Sequence, residues 1–170
     1  MKVQLISENT LKKYTLINDN VDACYIAPAI QMAQDMGLQP LIGTVLLDKL
    51  CQLVSTDKIN EKANANYKIL LDEYITPYLC HKVMVDIQVP LFAKIRNAGI
   101  VQSQDTQTQQ LTKSDVDYIR QHYDYISTFY GNRMTDYLRA NSTKYPEWLT
   151  RRDVADVKAD PESYNTTLVL

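Results

Sequence analysis

The 170-residue sequence predicts an all-α fold: a bent bundle of about four to five helices with an extended C-terminal tail. Three observations carry that prediction. Only four glycines occur, too few for the many tight turns of a β protein. Apolar residues recur at three- and four-residue steps over long stretches, the period of a helix face laid on a core. The stretches between them are short and carry proline, glycine, asparagine or glutamine, which end or bend helices. The length suits one domain, able to bury roughly two thirds of the surface its unfolded chain exposes. We place the helical domain at 1–149 and the tail at 150–170.

Ser7 before "ENTLKKY" predicts a short capped helix to about Thr15, with Glu8 at its positive end. "NDN" at 18–20 caps the next, from Val21 to Met36, with a break or kink just before Pro28, whose ring clashes with the carbonyl of Cys24. Gly37 then takes the left-handed C-cap position, Pro40 forbids resumption, and Gly43 with Thr44 starts a new helix to Val54. These four residues, Pro28, Gly37, Pro40 and Gly43, form a corner. The new helix is apolar at Val45, Leu46, Leu47, Leu50, Leu53 and Val54.

Residues 55–65 are polar and predict a loop. A long helix follows from about Asn66, bent at Pro77 and Pro90, with Leu70, Leu71, Tyr74, Leu79, Val83 and Ile87 on its core side, and Arg96, Asn97 and Gly99 at its end. "VQSQDTQTQQ" at 101–110 buries little and reads as a flexible excursion. Thr112 with Asp115 caps the longest helix, Lys113 to Ala140, whose core stripe is Val116, Ile119, Tyr123, Ile126, Tyr130 and Tyr137. Pro146 ends the region, and Trp148 with Leu149 folds back on the bundle. The apolar ending "TLVL" suits either strand pairing with a neighbour or a disordered or locally docked tail.

Composition and spacing point away from chemistry. Eighteen Lys and Arg against twenty Asp and Glu leave a net charge of −2, with no general attraction for nucleic acid or anionic lipid. No apolar run approaches the ~20 residues of a membrane span, and the start lacks the h-region of a secretory signal, so a cytoplasmic location is expected. Cys24, Cys51 and Cys80 are odd in number and have apolar neighbours, as core thiols do. His81 and His122 complete no metal motif, and adjacent Cys80 and His81 diverge too far round a helix to share an ion. The glycines form no phosphate-binding loop, and the leucine-rich helix after Gly43 is a poor DNA reader. We expect no catalytic residues, cofactor or metal.

What remains is surface. The long helix carries a second stripe, Tyr118, His122, Tyr125 and Phe129, beside its core stripe, and a helix apolar on two faces must bury both. Tyrosine suits interfaces, burying a rigid ring while its hydroxyl keeps a hydrogen bond. The stripe, the glutamine loop with Gln104, Gln107 and Gln109, and the terminal Leu168, Val169 and Leu170 are the expected contacts with other chains.

In order and spacing, "LISENTLKKYTLINDNVD", "APAIQMAQDMGLQPLIGTVLLDKL", "LLDEYITPYL", "PLFAKIRNAGIV", "YGNRMTDYLRAN" and "YPEWL" resemble the head-to-tail connector, or adaptor ring, proteins of tailed bacteriophages, particularly those of crAss-like phages. The resemblance covers residues 4–149, and its pattern matches at Pro28, Gly37, Pro40, Gly43, Arg96, Asn97 and Gly99, which we read as shaping the fold. It implies a structural virion protein assembled in the bacterial host cytoplasm. Such a protein forms a dodecameric ring beneath the portal protein, carries the next tail or connector protein, and lies near packaged DNA without reading it. It implies neither membrane association nor enzymatic activity. The alternative from the residues alone is a small cytoplasmic helical regulatory or ligand-binding protein.

Overall fold

A serine hydroxyl opens the first helix: in the computed structural model, Ser7 Oγ accepts from the Thr10 amide at 3.1 Å and starts α1 (Glu8–Tyr14). The structure describes residues 3–17, 21–96, 99–102 and 113–160. The segment before α1 is pinned by Gln34, a buried amide that accepts from Leu5 N–H at 3.1 Å and donates to Val3 O at 3.0 Å. A side chain there satisfies two backbone groups that no strand pairs. Helix α2 (Ala23–Met32) is capped by Asp22, which accepts from Cys24 N–H at 3.0 Å; this bond holds its carboxyl below the ordinary range. The cap expected at 18–20 lies outside the described residues.

Three expectations for the corner need correction. Helix α2 runs unbroken through Pro28, because Pro28 and Cys24 both lie on its exposed side, where water can serve the carbonyl left without a donor. Gly37 is no C-cap. It is buried in a π-helical turn (Ala33–Leu38), and a Cβ there would stand 2.8 Å from the Tyr78 hydroxyl and 3.1 Å from Lys82 Cγ, so its role is close approach. Pro40 does not stop the chain either: the π turn runs directly into α3 (Gln39–Ser55), with Pro40 in its first turn. The whole change of direction falls on Gly43, at φ 78° and ψ 159°, a region that glycine alone enters freely.

A second π turn (Leu70–Ile75) repeats the relation of the first to a proline: each ends two residues before one, at Pro40 and at Pro77. A proline ring crowds the carbonyl four residues back, and the wider π spacing relieves that contact while keeping the helix whole. Helix therefore continues from α4 (Ala65–Ile69) through the turn into α5 (Thr76–Phe92).

The broken helix at Gly43 exposes backbone groups, and the C-terminal region satisfies them. Trp148 Nε1 donates to Leu41 O at 3.3 Å, Asp160 N–H to Pro40 O at 2.7 Å, and Thr44 N–H to Val157 O at 3.0 Å. Val157 N–H in turn reaches Thr44 Oγ1 at 2.9 Å. Ala159 is buried against the glycine, where a Cβ would come within 3.2 Å of its amide nitrogen. The segment through Asp160 is thus extended and docked on α3. Trp148 is buried as predicted, whereas Leu149 is exposed.

The rest of α3 buries Leu46, Leu47, Leu50 and Leu53, while Val45 and Val54 stay half-buried. Residues 55–65 hold two 3-10 turns, Lys58–Asn60 and Lys62–Asn64, and Ile59 reaches the core, so this stretch is more ordered than a polar loop. Helix α5 packs on α2 and along α6 (Lys113–Ala140), burying Tyr78, Leu79, Val83 and Ile87.

Contrary to expectation, helix does not continue to Gly99. Strands β1 (Ala93–Arg96) and β2 (Gly99–Gln102) form an antiparallel hairpin, with Arg96 opposite Gly99 and Ile95 opposite Ile100. β-branched Ile95, Ile100 and Val101 on either side of Asn97 favour this pairing over a helix end. Asn97, and residues 103–112 with their glutamines, lie outside the described residues.

Candidate subunit interface

Two faces of α6 separate cleanly. Toward α5 it buries Ser127, Gly131, Met134, Thr135 and Leu138, while Tyr123, Tyr130 and Tyr137 are partly buried against the core. The expected core stripe is therefore displaced: Val116, Ile119 and Ile126 are only half-buried, and small residues lie deepest. At about 100° per residue, Tyr118, His122, Tyr125 and Phe129 fall on one line roughly half a turn from the buried residues and about a third of a turn from the half-buried tyrosines. All four are exposed, Tyr118 at 71%, Tyr125 at 76% and Phe129 at 58%. Before Ser127 the helix buries no residue fully, so its N-terminal half stands largely uncovered among the described residues.

Tyrosines divide between this surface and an internal network. Tyr74 and Tyr137 stack at 4.0 Å, Arg133 lies over Tyr74, and the Tyr137 and Tyr145 hydroxyls are 3.1 Å apart. Tyr145 donates to Asn66 O at 2.9 Å, and Tyr67 to the Glu147 carboxylate at 2.8 Å. Burial and that carboxylate push the Tyr67 phenol up to about 12, so it stays a neutral donor. His81, stacked on Tyr130 at 5.2 Å with Nδ1 2.7 Å from Pro77 O, belongs to the same internal surface. The network ties the C-terminal end of α6 to α4 and α5, leaving the opposite end as the exposed aromatic face.

The cysteines do not behave alike. Cys80 is buried and its thiol is pushed up to about 12 by desolvation, and Cys51 is half-buried, but Cys24 is exposed in the first turn of α2, against the expectation of a core thiol. Among the described residues no group of three or more His, Cys, Asp or Glu is placed to hold a metal ion, and no helix is long and apolar enough to cross a membrane. Of the other predicted contact residues, Gln104, Gln107, Gln109, Leu168, Val169 and Leu170 lie outside the described residues.

A polar cleft of about 280 Å³ runs between α5 and α6, lined by Lys82, Val85, Asp117, Arg120, Gln121 and Asp124. Asp86, 3.9 Å from Lys82, adjoins it, and its carboxyl is raised, chiefly by burial and also by Asp124, against the opposing pull of Lys82 and Arg120. A raised carboxyl pKa means the folded chain holds this proton more tightly than the unfolded one. The site therefore favours folding most below the ordinary carboxyl value of 3.8 and loses that contribution as pH rises through the folded value. Asp86→Asn is expected to leave stability at pH 7 unchanged or raised and to flatten its dependence as pH rises from 3.8 to about 7. Urea melts across that range check this; a variant markedly less stable at pH 7 would show that the ion pairs outweigh the desolvation.

Fold and surface together define a helical domain that turns one aromatic helix face outward and seals its corner with its own C-terminal segment. The chain belongs to a family of unknown function (DUF6712), whose model matches residues 38–156, more than half of the chain. Nothing matches among curated proteins or solved structures.

Proposed function

We propose that this protein is a structural virion subunit, a head-to-tail connector that assembles as a ring beneath the portal and joins capsid to tail. The observation that carries the proposal is the exposed line Tyr118, His122, Tyr125 and Phe129, an aromatic face along one rigid helix. Large rings displayed in a row cost hydrophobic free energy in water and mark contact surfaces. The resemblance over residues 4–149 supplies the partners: other copies of the chain, the portal protein, and the next tail component. In a ring each subunit meets two neighbours through unlike surfaces, which suits a domain with its aromatic face on α6 and its docked C-terminal segment at the α3 corner. The role requires no chemistry of the chain itself, and assembly would take place in the bacterial host cytoplasm.

Size-exclusion chromatography with light scattering, at rising protein concentration and with portal rings of the same phage, tests this reading. The expected result is a ring-sized species, or portal rings that gain mass by binding the chain. A chain that remains monomeric at every concentration and leaves portal rings unchanged would overturn it.

A further inference from the structure

We infer that residues 150–160 are an exchangeable strap: the Gly43 corner that holds this segment from its own chain takes the same segment from a second copy. This inference stands apart from the connector reading and does not use the α6 face.

Three features of the strap argue for exchange. It is organised within itself: the Asp156 carboxylate accepts from the amides of Arg152 at 2.9 Å and Asp153 at 3.3 Å, and Arg151 donates to the carbonyls of Asp153 and Val154. Such a turn moves as a unit. Its grip on the bundle is local and polar: Val157 and Asp160 bond the backbone or hydroxyl of Pro40 and Thr44, Arg152 pairs with Asp48, and in this stretch only Ala159 is buried. Opening it therefore uncovers little core, and a second copy would restore every one of these contacts in identical form.

The third feature is the hinge. Trp148 is fixed in the core, and the next residue, Leu149, has φ 64° with an exposed side chain. A leucine in the left-handed region is strained, and no burial of that side chain compensates. Strained short hinges favour exchange, because opening relaxes them and the partner's groove returns the lost bonds. The groove suits only a backbone that passes close by: at position 43 the approach of Ala159 and Val157 leaves no room for a side chain.

Full-length chains carrying Cys24→Ser, to remove the exposed native thiol, test the proposal. Asp48→Cys is introduced into one set, with a mass tag, and Arg152→Cys into the other; both positions are exposed, and loss of their ion pair costs little. The mixed sets are treated with a short bismaleimide. The expected product is a cross-linked heterodimer containing one of each chain, absent from either set alone and increasing with concentration. Leu149→Gly should lower its yield about five-fold, because relaxing the hinge by about 1 kcal/mol favours the closed chain. The yield should persist when Tyr125→Asp and Phe129→Asp are added, which separates strap exchange from contacts through α6. A chain carrying both Asp48→Cys and Arg152→Cys that cross-links only within itself, while the mixture gives no heterodimer at any concentration, would overturn the proposal, as would a heterodimer lost with the α6 face.

Discussion

Replacing Tyr125 and Phe129 together with aspartate is expected to abolish ring assembly and portal binding through α6 while leaving strap exchange, helical content and the melting temperature of the subunit nearly unchanged. Both side chains are more than half exposed, so neither change opens a cavity or buries a charge within the chain. Exposed substitutions of this kind usually stay within about 0.5 kcal/mol each. In an interface the outcome reverses. An aromatic anchor is commonly worth 2 kcal/mol or more, and an aspartate in its place would have to lose its water against an apolar partner. Two such changes weaken association by more than about a thousand-fold. Circular dichroism and light scattering on the same sample read both halves of the prediction. Loss of helicity in the double variant would assign the stripe to the interior, and unchanged ring assembly and portal binding would remove the observation on which the connector reading rests.

The stripe was legible because spacing alone reveals two lines of large residues on one helix. Its bounds, Lys113 to Ala140, were legible too, since a sustained period over 28 residues leaves little choice. Which line was core was harder to read. Ser127, Gly131 and Thr135 lie deepest on α6 but carry no hydrophobic signal; their small size lets α5 come close. Tyr123 and Tyr130 read as core yet sit at its edge, because a tyrosine buries its ring and leaves its hydroxyl outside. Residues 93–102 misled for another reason. A short apolar run after a long helix looks like its continuation, and only cross-strand pairing, which sequence does not display, makes it a hairpin. At the corner, two glycines and a proline within seven residues correctly announced a change of direction. A glycine needed for close approach and one needed for a positive φ look alike in a sequence, so the turn was spread over Gly37 to Gly43 when only Gly43 makes it. The partner that makes Gly43 necessary is more than a hundred residues away, at Val157 and Ala159, beyond the reach of local pattern.

That long-range contact gives the second large effect. Gly43→Ala is expected to destabilise the chain by about 2–3 kcal/mol, lowering Tm by about 4–10 °C. Two separable costs add. The backbone at φ 78° and ψ 159° belongs to a region that residues with a Cβ rarely enter, and the new methyl would lie 3.2 Å from the amide nitrogen of Ala159 and 3.4 Å from the carbonyl of Val157. Those neighbours are backbone atoms, so no rotamer change relieves the contact; the strap must shift, stretching the bonds at Pro40 and Thr44. Trimming Ala159 to glycine should not rescue the variant, because its own Cβ is the more distant contact at 3.6 Å. Deleting residues 151–170 should rescue part of it: the clash disappears while the dihedral cost stays, so Gly43→Ala costs less in the shortened chain than in the full one. The difference between those two costs is the coupling between corner and strap. Thermal melts of the four chains measure it, and a coupling of zero would mean that the strap plays no part in selecting glycine at this position.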